Sequence, residues 1–119
     1  MSLQAYNNTR RVTESPRDTE YRLFADITRQ LMAVRDKPRH DPAVIEAIYR
    51  NRRLWSTLMS DCSREGNQLP ERTRASIISL ALWVDRHSSA IMRSGESLQE
   101  LIDVNRTIME GLAQRTAAA

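Results

Sequence analysis

The chain has 119 residues, a hydrophobic fraction of 40%, three glycines and four prolines. A chain of this length normally folds as one domain, and so few turn-forming residues do not favour a sheet of short strands, so we expect an all-α fold. Its 18 basic and 15 acidic residues give a net charge of only +3, which is too balanced for a nucleic-acid-binding stripe.

The N-terminal part of the sequence predicts an arm followed by a helix. Residues 1–14 are polar with isolated apolar residues, and we expect a flexible arm there. Ser15 followed by Pro16 is a typical helix start, with the serine as the N-cap and the proline at the first helical position. The first helix then covers residues 16–35 and ends before the Lys-Pro pair at 37–38. Its apolar positions recur at helical spacing: Phe24, Ile27, Leu31 and Val34.

The middle of the chain predicts two longer helices. Asp41 and Pro42 repeat the cap-proline start, and Gly66 ends this second helix. The third helix begins near Pro70 and continues to about Arg93. Because apolar residues cover nearly its whole circumference, we expect it to lie at the centre of the fold. These residues are Ile77, Ile78, Leu80, Ala81, Leu82, Trp83 and Val84.

The fourth predicted helix follows a capping box formed by Ser97 and Glu100. Residues 15–113 are then one helical domain, and we expect residues 114–119 to be frayed. Short connections favour antiparallel neighbours, so the predicted architecture is a compact bundle of about four helices with the third helix central.

Three polar residues project onto apolar helix faces: Arg52, Asp85 and Asn105. A buried charge without a partner is costly, so we expect Asp85 to pair with Arg52 or Arg53, giving a buried polar pair of Arg52 and Asp85. We expect Asn105 to bond to nearby backbone. The alternative is that the helices rotate enough for both charges to reach water.

The sequence does not support catalysis. Asp85, His87 and Ser88 contain the residue types of a hydrolytic triad, but Asp85 and His87 lie about 200° apart on one helix, so the acid cannot orient the imidazole. Cys62 has no second cysteine and no metal-ligand spacing around it. We therefore expect no enzyme activity, no metal and no cofactor.

Localisation follows from the same features. A single cysteine cannot form an internal disulfide, and the N-terminal residues lack the apolar block of a signal peptide. No segment approaches the roughly 20 apolar residues that cross a bilayer. We expect a cytoplasmic protein without membrane insertion.

Two binding roles remain open. Arginines near Tyr49 and Trp55 suit RNA phosphates and bases, but the aromatic fraction is 5% and Trp55 lies on an apolar helix face, so direct RNA binding is not favoured. A groove for an amphipathic helix of a partner protein fits better, with Tyr49, Arg53 and Trp83 as candidate partner-binding residues. A bundle that simply closes on itself explains the same pattern equally well.

Five stretches in order resemble the flagellar biosynthesis regulator FlaF family over residues 2–113. They are SPRDTEYRLFADITRQLM, NRRLWSTLMSDC, GNQLP, RASIISLALWVDRH and LIDVNRTIMEGLA. The resemblance implies a small cytoplasmic protein needed for flagellin production and export. It implies flagellin as a partner, FlbT as a second one, and no catalytic residues.

The resemblance leaves two hypotheses for the mechanism. In the first, the protein is a chaperone and regulator that covers an amphipathic terminal helix of unassembled flagellin. In the second, it is a post-transcriptional regulator that acts on flagellin mRNA or on FlbT without being a chaperone.

Overall fold

The computed structural model describes the backbone of residues 16–118 and the side chains of residues 19–111. Within that part of the chain there are helices and no strands. The helices are α1 (Pro16–Val34), α2 (Pro42–Ser63), α3 (Glu71–Ser94) and α4 (Gln99–Ala118). The predicted all-α fold of four helices is confirmed.

Two predictions for the chain ends concern residues at or beyond these limits. The arm at residues 1–14 and the cap at Ser15 lie outside the described residues. The fraying of residues 114–119 stays a prediction, although the backbone of α4 is helical as far as Ala118.

Local capping signals determine where the helices begin and end. The Asp41 Oδ1 atom accepts a hydrogen bond of 2.8 Å from the Ala43 N–H, and Pro42 occupies the start of α2. Gly95 follows α3 with a φ of 70° and donates its N–H to the Ile91 carbonyl at 2.9 Å. A left-handed residue at this position is strained unless it is glycine, so the helix ends here.

The four helices contact each other to unequal extents. α1 packs against both α2 and α4, and α2 packs extensively against α3. α3 lies between α2 and α4, as predicted, but its contact with α4 is the smallest of these interfaces. Part of the apolar surface of α3 therefore stays outside the core, and Leu82 is 48% exposed.

The core is centred on an aromatic pair. The rings of Phe24 in α1 and Trp55 in α2 meet edge to face, with centroids 5.4 Å apart and planes at 80°. Around them lie buried aliphatic side chains from all four helices, including Leu31, Val44, Ile48, Ala81, Val84, Ile91, Leu101 and Ile102. This cluster gives the chain one core, as its length predicts.

A buried hydrogen-bond network runs through this core. Asn105 of α4 is 0% exposed, and its Oδ1 accepts a bond of 2.8 Å from the Trp55 indole N–H. Its Nδ2 donates to the Thr28 hydroxyl of α1 at 3.1 Å and to the Asn51 Oδ1 of α2 at 2.8 Å. The expectation that Asn105 bonds to nearby backbone is wrong, because the Asn105 amide instead bonds to side chains from two other helices.

Replacing Asn105 should destabilise the fold strongly. Asn105→Ala leaves the Trp55 N–H and the Asn51 carbonyl oxygen buried without a partner and opens a small cavity. We expect a loss of about 2–4 kcal/mol in the free energy of unfolding. Urea titration followed by tryptophan fluorescence measures this loss.

The matched control is Glu110→Ala, an exposed position on the same helix. It should change the free energy of unfolding by less than about 0.5 kcal/mol. A loss below about 1 kcal/mol for Asn105→Ala would show that the network contributes little.

Candidate functional site

A cavity of about 600 Å³ opens at the end of the bundle where α1 and α3 begin and α2 and α4 end. We call it the apolar groove. Its walls come from all four helices and from the α2–α3 turn, and its apolar lining consists of Phe24, Leu58, Leu69, Ile77, Leu80 and Ile108. The groove exists because α3 and α4 contact each other so little.

The α2–α3 turn that forms one side of the groove is held by Asn67. Its Nδ2 donates to the Asp61 carbonyl oxygen at 3.0 Å, and its Oδ1 accepts from the Leu69 N–H at 3.0 Å. Gly66 precedes it with a φ of 87°, which a side chain would make unfavourable. The turn therefore presents Leu69 to the groove in a defined position.

The rim of the groove is acidic. Glu20 of α1 and Asp61 of α2 line it, and no basic residue does so among the described side chains. Thr73 and Ser76 of α3 add small hydroxyls, and Ser76 is exposed. Among the described residues, the groove thus combines an apolar floor with two acidic side chains.

A second, shallower depression of about 690 Å³ lies between α2 and α3. We call it the α2–α3 surface, and it is lined by Ile45, Ile48, Tyr49, Arg52, Arg53, Ser56, Thr57, Asp85 and Met92. Tyr49 is 55% exposed, and the Arg53 Nη1 donates to its hydroxyl at 3.4 Å. Two of the three predicted partner-binding residues therefore lie together here.

Arg52 and Asp85 also meet on the α2–α3 surface. The Arg52 Nη2 lies 2.6 Å from the Asp85 Oδ1, and the Arg52 Nε lies 3.2 Å from the same oxygen. The expected pairing of Asp85 with Arg52 is therefore present, but the two side chains are 38% and 65% exposed, so the expectation that the pair is buried is wrong. Both residues lie at the edge of the α2–α3 interface, where their side chains are exposed to water.

Trp83, the third predicted residue, lies elsewhere. It is seven residues after Ser76 in α3, so it continues the side of the helix that faces the apolar groove, about 10 Å further along. Its indole is half-buried and stacks on the His87 imidazole, with centroids 4.7 Å apart and planes at 9°. His87 in turn lies 3.5 Å from a Glu96 oxygen and 3.4 Å from a Glu100 oxygen.

The structure thus separates the predicted residues into two places. Tyr49 and Arg53 share the α2–α3 surface, whereas Trp83 lies beyond the inner end of the apolar groove. That each of them contacts a partner stays a prediction. A groove was expected from the excess of apolar residues around the third helix, but its position was missed, because none of the three predicted residues lines the apolar groove.

Within residues 19–111, no three His, Cys, Asp or Glu side chains lie together in a way that suits a metal ion. Of the helices in the same part of the chain, none has both the length and the apolar character to cross a membrane.

Comparison with known proteins identifies a family. The family model described as Flagellar protein FlaF matches residues 2–112, which is nearly the whole chain. No curated protein and no solved structure matches significantly. The resemblance drawn from the five sequence stretches is confirmed by this match.

The exposed Arg52–Asp85 pair should contribute little to stability. In a double-mutant cycle of Arg52→Ala and Asp85→Ala, we expect a coupling energy of about 0.2–1 kcal/mol, because water screens both charges. The coupling should fall further at 1 M salt. Urea unfolding of the four proteins measures it.

A coupling of about 3 kcal/mol or more, insensitive to salt, would contradict this assignment. Such a value is typical of a pair from which water is excluded.

Proposed function

The chain belongs to the FlaF family of flagellar proteins, and on this basis we propose that it is a chaperone and regulator that binds unassembled flagellin during flagellum assembly. It covers an amphipathic terminal helix of flagellin in the apolar groove. The protein acts by binding and not by catalysis, and it acts in the cytoplasm, before flagellin is exported.

The apolar groove is the observation that supports this proposal. An amphipathic helix binds another protein by placing its apolar face in a groove, usually through side chains three or four residues apart. Leu58, Leu80 and Ile108 come from three different helices and provide such a groove with apolar walls. The α2–α3 surface is wider and carries three charged residues, so it suits an apolar helix face less well.

Covering a flagellin helix in this way would have two effects. The apolar face that drives polymerisation would be buried, which delays assembly until export. The ratio of bound to free protein would also follow the supply of flagellin, and this ratio can regulate flagellin synthesis, directly or through FlbT.

The alternative is a regulator that acts on FlbT or on flagellin mRNA without being a chaperone. The exposed Tyr49 and Arg53 on the α2–α3 surface favour this alternative, since tyrosine and arginine are common anchors at interfaces. RNA is the less suitable partner there, because Arg52 already pairs with Asp85.

Calorimetric titration with monomeric flagellin tests the chaperone proposal. We expect binding to full-length flagellin, loss of binding when one terminal segment is removed, and little change between 50 mM and 200 mM salt. Binding of flagellin mRNA with a steep salt dependence would favour the alternative, because phosphate contacts release counterions. No binding to any form of flagellin would overturn the proposal.

A matched pair of serine variants locates the site. Ser76→Glu places a charge in the apolar groove, whereas Ser56→Glu places the same charge on the α2–α3 surface; both serines are exposed. We expect Ser76→Glu to weaken flagellin binding at least tenfold and Ser56→Glu to change it less than twofold. The unfolding midpoints of both variants should stay close to that of the parent.

The reverse pattern would move the flagellin site to Tyr49 and Arg53. Equal, small effects of both variants would show that neither surface holds flagellin.

A further inference from the structure

We propose that two copies of this chain associate face to face through the α2–α3 surface, related by a two-fold axis that runs parallel to these two helices. The dimer does not use the apolar groove, so it stands or fails independently of the proposed function. A two-fold interface requires a surface that complements itself, because the same patch contributes both sides.

Exposed apolar side chains are concentrated on this face of the protein. Among the described residues, seven large apolar side chains are exposed, and three of them line the α2–α3 surface: Ile45, Tyr49 and Met92. A smaller depression continues the surface along both helices and adds a fourth, Leu82. Single exposed apolar residues are normal, whereas a group of them on one face indicates an interaction surface.

The ion pair of Arg52 and Asp85 shows which residues of α2 and α3 lie at the same level. Ile45, seven residues before Arg52, lines the same depression as Met92, seven residues after Asp85. On the other side of the pair, Leu82 shares a depression with α2 residues that follow Arg52. α2 and α3 therefore run in opposite directions, and residues equally far from the ion pair lie at the same level.

A two-fold axis along the midline of the surface places α2 of each copy on α3 of the other without changing these levels. Ile45 then meets Met92 of the second copy, and Arg53 meets Asp85 of the second copy. Each contact occurs twice, and each joins groups that attract. An axis across the helices would instead bring Arg53 towards Arg53 and Asp85 towards Asp85, which is unfavourable.

Both charged groups of the new contact have bonding capacity left in the single chain. The two Arg52 hydrogen bonds go to the same Asp85 oxygen, Oδ1, and no described side chain bonds to Oδ2. The Arg53 guanidinium makes one bond to another described side chain, at 3.4 Å to the Tyr49 hydroxyl. A second copy can therefore add two Arg53–Asp85 ion pairs without breaking the Arg52–Asp85 pairs.

The size of the surface predicts a weak dimer. From Ile45 to Met59, α2 extends about 21 Å, and two helices side by side are about 20 Å wide. Such a surface is at the small end of the range for specific interfaces, so we expect a dissociation constant of about 10–100 µM. The chain is then a monomer when dilute and a dimer where it accumulates.

Sedimentation equilibrium of the full chain tests the dimer. Between about 5 and 500 µM protein, mass action should shift the chain from monomer to dimer. The weight-average mass should rise from 13.7 kDa towards twice that value. A mass that stays at the monomer value over the whole range would overturn the proposal.

Two single variants test the charged contact, because each places like charges opposite each other. Arg53→Glu and Asp85→Arg should each weaken self-association at least tenfold. The matched control, Arg106→Glu, makes the same charge change as Arg53→Glu at an exposed position of α4 outside this surface. It should change self-association less than twofold. Equal self-association of Arg53→Glu and the parent would show that the α2–α3 surface is not the interface.

An equimolar mixture of Arg53→Glu and Asp85→Arg tests the two-fold arrangement. In a mixed dimer, one contact joins the two introduced charges, which are opposite, and the other joins the two native ones. We expect the mixture to associate about as tightly as the parent, although neither variant self-associates alone. Association of the mixture also shows that both variants are folded. A mixture that stays monomeric while the parent dimerises would overturn the arrangement.

Flagellin titration separates this dimer from the proposed function. A chain that binds flagellin but stays monomeric at every concentration would support the chaperone and overturn the dimer. A chain that dimerises but binds no form of flagellin would support the dimer and overturn the chaperone.

Discussion

The arrangement of the helices depends on one buried amide. Asn105 of α4 accepts a hydrogen bond from Trp55 and donates to Asn51, both in α2, and it also donates to Thr28 in α1. Each of these groups would be costly to bury without a partner, so α4 is held against α1 and α2. No α3 side chain is among these partners. α3 packs mainly on α2, where Arg52 and Asp85 also pair, and its small contact with α4 leaves the space of the apolar groove.

The two ends of α3 have different surroundings. The first part of α3, from Thr73 to Leu80, lines the apolar groove together with the first part of α1, including Glu20 and Phe24. Further along α3, the His87 ring stacks on Trp83 and lies within 3.5 Å of a Glu96 oxygen and a Glu100 oxygen. The groove is therefore a feature of one end of the bundle, and the predicted residue Trp83 belongs to the other part of α3.

Local features of this fold could be predicted from the sequence, and features set between helices could not. The starts of the helices follow from cap residues such as Asp41, whose hydrogen bond to the Ala43 N–H involves only near neighbours. Helical projection brought Arg52 and Asp85 onto facing sides, but their exposure depends on how far apart the helices lie at that edge. The partners of Asn105 and the apolar groove depend on the same distances. Both are therefore visible only in the structure.

The polarity of the groove suits an apolar peptide better than a nucleic acid. Acidic side chains at the rim, Glu20 and Asp61, repel phosphate, and the apolar floor offers nothing to a nucleic-acid backbone. A peptide with apolar side chains at helical spacing gains hydrophobic contact there, at roughly 25 cal/mol per Å² removed from water. The chain belongs to a flagellar family, and a groove of this kind is consistent with the proposed binding of a flagellin helix.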